Sequence, residues 1–264
     1  MLPRAHERRG RGRRNGSSQV SPSSRLRDRP QAMLMPAIAM FVTGCAAHHV
    51  SPSQLFAGAC NRYANAQSYE DVATIDTIFP SRVPVFATDV IEDHTVRARL
   101  RTAFRRPDSM RIDFDALPPD IHFVFTIWSH NNKIEDWTTI GEPTTFASLG
   151  DAMAAYGGVS SGGSEVVPRL LVGDDSLCRR ASVTGEGGEL GDVSGAPCRV
   201  VRLMARWGEH VTPFEVCIDS SYTIRQWRTW TTIDGRIVST VATYQAQFDV
   251  DVPKAIFDFV PPHR

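Results

Sequence analysis

Residues 95–115 read TVRARLRTAFRRPDSMRIDFD, and two runs of alternating side chains within them decide the fold class. In the first run, apolar or small residues from Val96 to Phe104 alternate with residues that are mostly arginines. In the second run, apolar residues from Met110 to Phe114 alternate with charged ones. A period of two places alternate side chains on opposite faces of a strand. Because Pro107-Asp108-Ser109 supplies turn residues between the runs, this stretch predicts a β-hairpin with one apolar and one charged face.

Further strand patterns continue on both sides of this hairpin. They cover residues 121–128, 133–139, 198–205, 214–219, 222–231 and 239–250. Helical spacing of apolar residues predicts helices over 55–67, 144–156 and, more briefly, 168–172. Strands in this number and order predict an α+β, mainly β protein, in which an antiparallel meander forms a curved sheet covered by helices.

The amino-terminal region has the composition of an export signal. Residues 1–31 are rich in arginine, glycine, serine and proline and are predicted to be a disordered n-region. Residues 32–44 form an apolar run too short to span a bilayer but typical of a signal h-region. The end of this run and the residue after it read Val42-Thr43-Gly44-Cys45, which resembles a lipobox. The resemblance predicts Cys45 as a lipidation site that carries acyl groups such as palmitate. An ordinary secretory signal is the alternative.

These assignments divide the chain into a removed leader, a lipidated tether over residues 45–53 and one domain over residues 54–264. The whole chain carries 29 basic and 29 acidic residues, so the part after the arginine-rich leader has an acidic excess, which argues against a nucleic-acid partner. Two or more acyl chains anchor a protein stably to a membrane. The sequence therefore predicts a soluble domain held at a membrane by its amino terminus.

Four cysteines follow Cys45, and disulfides persist in exported proteins. Four thiols allow three pairings. Cys178 and Cys198 bracket a glycine-rich loop, and we expect a disulfide between them. Cys60 and Cys217 either form a second disulfide or remain buried thiols.

No residue pattern points to catalysis or to a cofactor. The glycine- and serine-rich run around Ser160 is explained by a flexible linker rather than by a nucleophile elbow, the chain has no Cys-x-x-Cys, and its histidines lack metal-ligand spacing. Asp113 and Asp115 lie two apart beside arginines of the neighbouring strand, so cross-strand ion pairs explain them better than acid–base catalysis. We therefore predict a protein that is not an enzyme and that has no metal or cofactor.

Several motifs resemble those of a known family. Thr102-Ala103-Phe104-Arg105-Arg106-Pro107, followed by Arg111-Ile112-Asp113-Phe114, resembles a signature of exported bacterial proteins related to LolA and LolB. Tyr63 to Tyr69 before the first strand and Phe257 to Pro262 at the end agree in order along the chain. Within this group the chain is most similar to the uncharacterised branch labelled DUF2092, or outer-membrane lipoprotein-sorting protein.

The resemblance implies an unclosed antiparallel β half-barrel whose concave face, covered by helices, receives acyl chains. The predicted cavity residues are apolar side chains of the strands, although each is also explained by plain core packing: Phe104, Ile112, Phe114, Phe123, Phe125, Trp128, Trp137, Tyr244 and Phe248. In carrier relatives an arginine binds the helical lid, and neither Arg101 nor Arg111 matches it. Ala46 after Cys45 resembles the pattern of lipoproteins released to the outer membrane, which implies the periplasmic face of that membrane.

Two hypotheses about function follow. The first is a membrane-anchored bacterial lipoprotein that binds acyl chains of lipids or lipoproteins, in lipoprotein sorting or envelope homeostasis. The second is a structural or sensor module of the envelope, of the RseB kind, whose core is filled by its own side chains and which binds a protein partner.

Overall fold

The computed structural model describes residues 50–81, 92–117, 123–160, 162–174, 176–185, 188–207 and 210–262. The predictions for the leader, for residues 32–44 and for lipidation of Cys45 lie outside these residues. No helix in the described ranges is both long and apolar enough to cross a bilayer.

One antiparallel sheet contains all twelve strands of the described ranges. The strands are β1 Ser68–Phe79, β2 His94–Arg105, β3 Ser109–Ala116, β4 Phe123–His130, β5 Lys133–Thr138, β6 Ala181–Val183, β7 Glu189–Val193, β8 Ala196–Trp207, β9 His210–Ile218, β10 Ile224–Ile233, β11 Arg236–Tyr244 and β12 Gln247–Phe248. The main path runs β5-β4-β3-β2-β1-β11-β10-β9-β8-β6, with β12 on β1 and β7 on β8. Within the described residues this path does not close, which confirms the predicted unclosed antiparallel sheet.

The predicted hairpin is present and sets the two faces of the sheet. Leu100 lies opposite Phe114, and Arg101 lies opposite Asp113. The apolar set is almost fully buried, whereas Arg101 is exposed. Asp113 pairs with Arg111 at 3.0 Å rather than with its cross-strand neighbour. The apolar set forms the concave face of the sheet, and the charged set forms the convex face.

Four α-helices are present in the described ranges: α1 Pro52–Asn65, α2 Leu149–Tyr156, α3 Val166–Leu171 and α4 Ser176–Arg180. Helix α1 starts earlier than predicted because Ser51 and Gln54 form a reciprocal capping box. Helix α2 is shorter than the predicted 144–156. Thr144 and Phe146 instead make backbone hydrogen bonds to Asp136 and Ile134 of β5, so the chain stays extended until Ser148 caps the helix.

Arg106 connects the helices to the sheet. Its Nε donates to the Ala66 carbonyl at 2.8 Å, and its Nη2 donates to the carbonyls of Ala64 and Leu171, the latter at 3.2 Å. Carbonyls at helix carboxyl ends lack intrahelical donors, and a guanidinium offers several donors in a fixed fork. Arg106 therefore holds the ends of α1 and α3 over the concave face. The arginine that binds the helices is thus the one before Pro107, not Arg101 or Arg111.

Candidate ligand cavity

The concave face is incompletely filled at β9 and β10. A cavity of about 340 Å³ lies between these strands and helices α3 and α4, within the range of about 300–1,000 Å³ typical of small-molecule sites. Its lining consists of Gly162, Glu165, Val166, Arg169, Leu177, Thr212, Phe214, Trp227, Thr229 and Thr231.

Two aromatic residues form the wall of this cavity. Phe214 lies opposite Thr229, and Trp227 lies opposite Val216 in the same strand pair, so both rings lie on the concave face. Their centroids are 4.3 Å apart in a stacked arrangement, and both side chains are buried. Stacked aromatic rings stabilise each other beyond the effect of burying their surface. The cavity therefore has a fixed, flat apolar wall.

Threonines explain why space remains beside this wall. Thr229 and Thr231 alternate on the same face of β10 and line the cavity. At the other end of the sheet, the corresponding surface carries Phe114 and Phe125, whose rings stack at 4.8 Å. Threonine is much smaller than phenylalanine, so the short helices α3 and α4 leave volume above β10 that is filled above β3 and β4.

An ion-pair network lies at the polar end of the cavity. Arg169 Nη2 is 2.5 Å from Glu165 Oε2, and Arg169 Nη1 is 2.9 Å from Asp174 Oδ2. Burial opposes ionisation of Asp174, but hydrogen bonds from Ser176 and Arg169 outweigh it and hold the pKa of Asp174 below its ordinary value. One guanidinium is thus bound by two carboxylates at this rim.

Six of the predicted cavity residues lie on the concave face but inside the packed core: Phe104, Ile112, Phe114, Phe123, Phe125 and Tyr244. Helix α2 covers the phenylalanines, with Tyr156 stacked on Phe125 at 4.4 Å. Phe248 packs edge-on against Tyr63 at 4.9 Å and Tyr69 at 5.0 Å. None of these seven lines the cavity at β10.

The expectation for Trp128 and Trp137 is wrong. Trp128 lies opposite Arg111 and Trp137 opposite Thr126, both on the convex face. There Phe259 of the carboxyl-terminal segment packs against them at 4.8 and 6.3 Å. The carboxyl-terminal segment covers these rings, and alternation within one strand gives no sign of it.

The expected disulfide between Cys178 and Cys198 is also wrong. The disulfides join Cys60 to Cys178 and Cys198 to Cys217. Cys178 lies in α4, which sits beside α1 and Cys60. Cys198 lies on β8, whose partner strand carries Cys217. Helix packing and strand pairing therefore decide which cysteines meet.

A buried carboxyl lies under α1 on β1. The Tyr69 hydroxyl donates to Asp71 Oδ2 at 2.9 Å, and the backbone N–H of Thr102 donates to Oδ1 at 3.0 Å. Burial raises the pKa of Asp71 to about 7, against the effect of these hydrogen bonds. The group is held by the core and does not line the cavity at β10.

The cavity residues escaped sequence reasoning although their strands were predicted. Phe214 begins one predicted strand and Trp227 lies within the next. The threonines near them have the polarity expected of a solvent-exposed face: Thr212, Thr229 and Thr231. The signal available in the sequence was one aromatic residue in each of two successive strand patterns, with threonines at alternate positions beside it.

In the described ranges, no cluster of three or more His, Cys, Asp or Glu side chains is arranged to hold a metal ion.

No protein-family model matches the chain, and no curated protein matches it. Among solved structures, the chain is similar to a domain described as an outer membrane lipoprotein-sorting protein from Vibrio parahaemolyticus, at 10% identity and a TM-score of 0.34, covering 77% of this chain and 94% of that one. A LolA superfamily protein from Nitrosomonas europaea matches at 10% identity and a TM-score of 0.32, covering 79% and 97%. MucB, solved in complex with MucA(peri), matches at 8% identity and a TM-score of 0.38, covering 76% and 57%.

The link to the DUF2092 branch stays a prediction. The strand order of the chain is that of an unclosed antiparallel sheet with helices on its concave face.

Proposed function

We propose that this protein binds an apolar chain, such as an acyl chain of a lipid or of a lipoprotein, in the cavity at β10. The observation that carries the proposal is the stacked Phe214–Trp227 pair facing about 340 Å³ of unfilled space. Burying apolar surface contributes about 25 cal/mol per Å². The aromatic wall together with Val166 and Leu177 thus offers an alkyl chain apolar surface around the open space.

The surroundings of the cavity suit binding rather than catalysis. Its lining combines aliphatic and aromatic side chains with threonines and one ion pair, and it holds no pair of nucleophile and base. The Cys60–Cys178 disulfide ties α4, which contributes Leu177, to α1. The protein is therefore a non-enzymatic binding protein whose covering helices α1 and α4 are joined by a disulfide.

The place of action proposed is the bacterial envelope. Two disulfides suit an oxidising compartment, and the run ending in Gly44-Cys45 resembles a lipobox. In this proposal, the protein acts on the periplasmic face of the outer membrane. It is anchored there through lipid on Cys45 and takes part in lipoprotein sorting or envelope homeostasis.

A pair of variants tests cavity binding directly. Thr231→Trp places a bulky ring in the cavity, whereas Thr232→Trp adds the same side chain to the exposed, opposite face of β10. We expect the neutral dye N-phenyl-1-naphthylamine to bind the protein one to one. Thr231→Trp should weaken binding by at least about tenfold, and Thr232→Trp should leave it unchanged. Absence of dye binding, or equal effects of both changes, would remove the proposal.

A second function is favoured by a groove on the convex face. The groove measures about 460 Å³ and contains as many carboxylates as arginines, but its carboxylates are buried or half-buried whereas Arg99 and Arg101 are exposed. Exposed arginines in a groove suit an acidic segment of a protein partner. Double charge reversal at Arg99 and Arg101 should then abolish photocrosslinking to one envelope protein and leave dye binding intact, while unchanged crosslinking would discard this function.

A further inference from the structure

We infer that Glu165, Arg169 and Asp174 select the ligand by the charge of its head group. The cavity accepts amphiphiles whose head group is uncharged or cationic and disfavours those whose head group is anionic. This inference rests on the proposed function, because it concerns the ligand of the same cavity.

The guanidinium at the rim is already occupied on both sides. Arg169 Nε donates to Glu165 Oε2 at 2.6 Å, and Nη1 donates to Asp174 Oδ2 at 2.9 Å. The side chains of these three residues are only 20–28% exposed. An isolated arginine would attract a carboxylate or phosphate. Here an anionic head group must displace a bound carboxylate or remain beside one.

Glu165 is held in position by its ion pair. It precedes α3, and its carboxylate occupies space beside Gly157 that a β-carbon would take. Arg169 Nη2 lies 2.5 Å from Glu165 Oε2. An anion that displaced this carboxylate would therefore have to break the ion pair.

The positive charge of the described lining is that of Arg169, and it is already neutralised by Glu165 from within the cavity and by Asp174 from outside it. Glu165 and Arg169 are the charged side chains among the cavity residues that the structure describes. Arg179 lies along a separate groove beside α1, together with Asp174. Like charges repel at short range with little screening when partly buried. An ammonium group meets an arginine that is already paired with carboxylates, and an ammonium or hydroxyl group can donate to the oxygens of Glu165.

Three ligands of equal chain length test the inference by displacement of N-phenyl-1-naphthylamine: decanol, decylammonium and decanoate, at a pH where decylammonium is protonated and decanoate is ionised. Decanoate should bind at least about tenfold more weakly than the other two. Glu165→Gln and Asp174→Asn should each narrow this difference by strengthening decanoate binding relative to decanol binding. Asp251→Asn, at an exposed position of the carboxyl-terminal segment, should leave the difference intact.

The outcomes separate this inference from the proposed function. Equal binding of all three ligands, or a difference that persists in both Glu165→Gln and Asp174→Asn, would overturn the charge selection alone and leave the cavity as a binding site. Failure of the dye and of every ligand to bind would overturn both.

Discussion

The two ends of the concave face differ in what fills them. Above β3 and β4, Phe114 and Phe125 stack on each other and Tyr156 of α2 covers them. Above β9 and β10, Phe214 and Trp227 also stack, but threonines surround them and about 340 Å³ stays open. A dense set of apolar strand residues therefore marks the packed core, and a sparse aromatic pair among small polar residues marks the cavity.

Disulfides brace the two parts differently, and their removal should give the largest effect. The Cys60–Cys178 bridge closes a loop of 118 residues and holds the lid, whereas Cys198–Cys217 closes 19 residues between neighbouring strands. Chain entropy predicts losses in the free energy of unfolding of about 5 and about 3 kcal/mol, respectively. Denaturant titration of the Cys60→Ala/Cys178→Ala and Cys198→Ala/Cys217→Ala proteins measures both. Equal losses would contradict the lid assignment.

Truncation of a ring in the packed region should cost nearly as much. Phe125 is 1% exposed between Phe114 and Tyr156, so Phe125→Ala should lower the free energy of unfolding by about 3–5 kcal/mol. Dye affinity of the folded fraction should not change. Leu190→Ala, at a side chain 85% exposed, is the matched control and should stay within about 0.5 kcal/mol. A loss of dye binding in Phe125→Ala would move the ligand into the packed half.

Local sequence patterns predict the strands and their faces, whereas other features of the fold depend on segments distant in the sequence. Alternation at Val96–Phe104 and Met110–Phe114 correctly predicts strands, their pairing and their apolar face. Trp128 and Trp137 mislead because Phe259, more than a hundred residues away, covers the convex face. The wrong cysteine pairing has the same origin, since α4 returns the chain to α1.

The cavity itself depends on helix length, which residue patterns predict poorly. Residues 144–148 have apolar spacing that suits a helix, yet Thr144 and Phe146 pair with β5, so the helical cover starts only at Leu149. Short helices α3 and α4 cover the other end. Sequence patterns assign strand faces, but the fit of a lid to those faces is a property of the assembled fold.

A pH dependence should distinguish the packed half from the cavity. Burial raises the pKa of Asp71 to about 7, while an exposed aspartate titrates near about 4. Between these two pH values, Asp71 is ionised in the unfolded chain and protonated in the native protein. Native stability therefore falls as pH rises from about 4 to about 7 and stays lower above that range. Denaturant titrations across this range should show the decline, and Asp71→Asn should remove it, with Asp251→Asn as control. A decline that survives in Asp71→Asn would assign it to other groups.

Attachment of the lid should depend on one arginine, with a smaller effect. Arg106→Lys keeps the charge but loses the fork that binds the carbonyls of Ala66 and Leu171. The expected loss in the free energy of unfolding is about 1.5–3 kcal/mol, accompanied by faster amide exchange in α1 and α3. Arg101→Lys, at an exposed position on the preceding strand β2, should change neither quantity. Unchanged exchange in Arg106→Lys would refute its role in holding the helices.

Location of a bound ligand tests the central claim most directly. A crystal of the protein soaked with 10-bromodecanol allows the bromine to be found by anomalous scattering. We expect one peak between α3 and β10, within contact distance of the Phe214 and Trp227 rings that line the cavity. A peak among Phe114, Phe125 and Tyr156, or none on the concave face at full ligand saturation, would contradict the account.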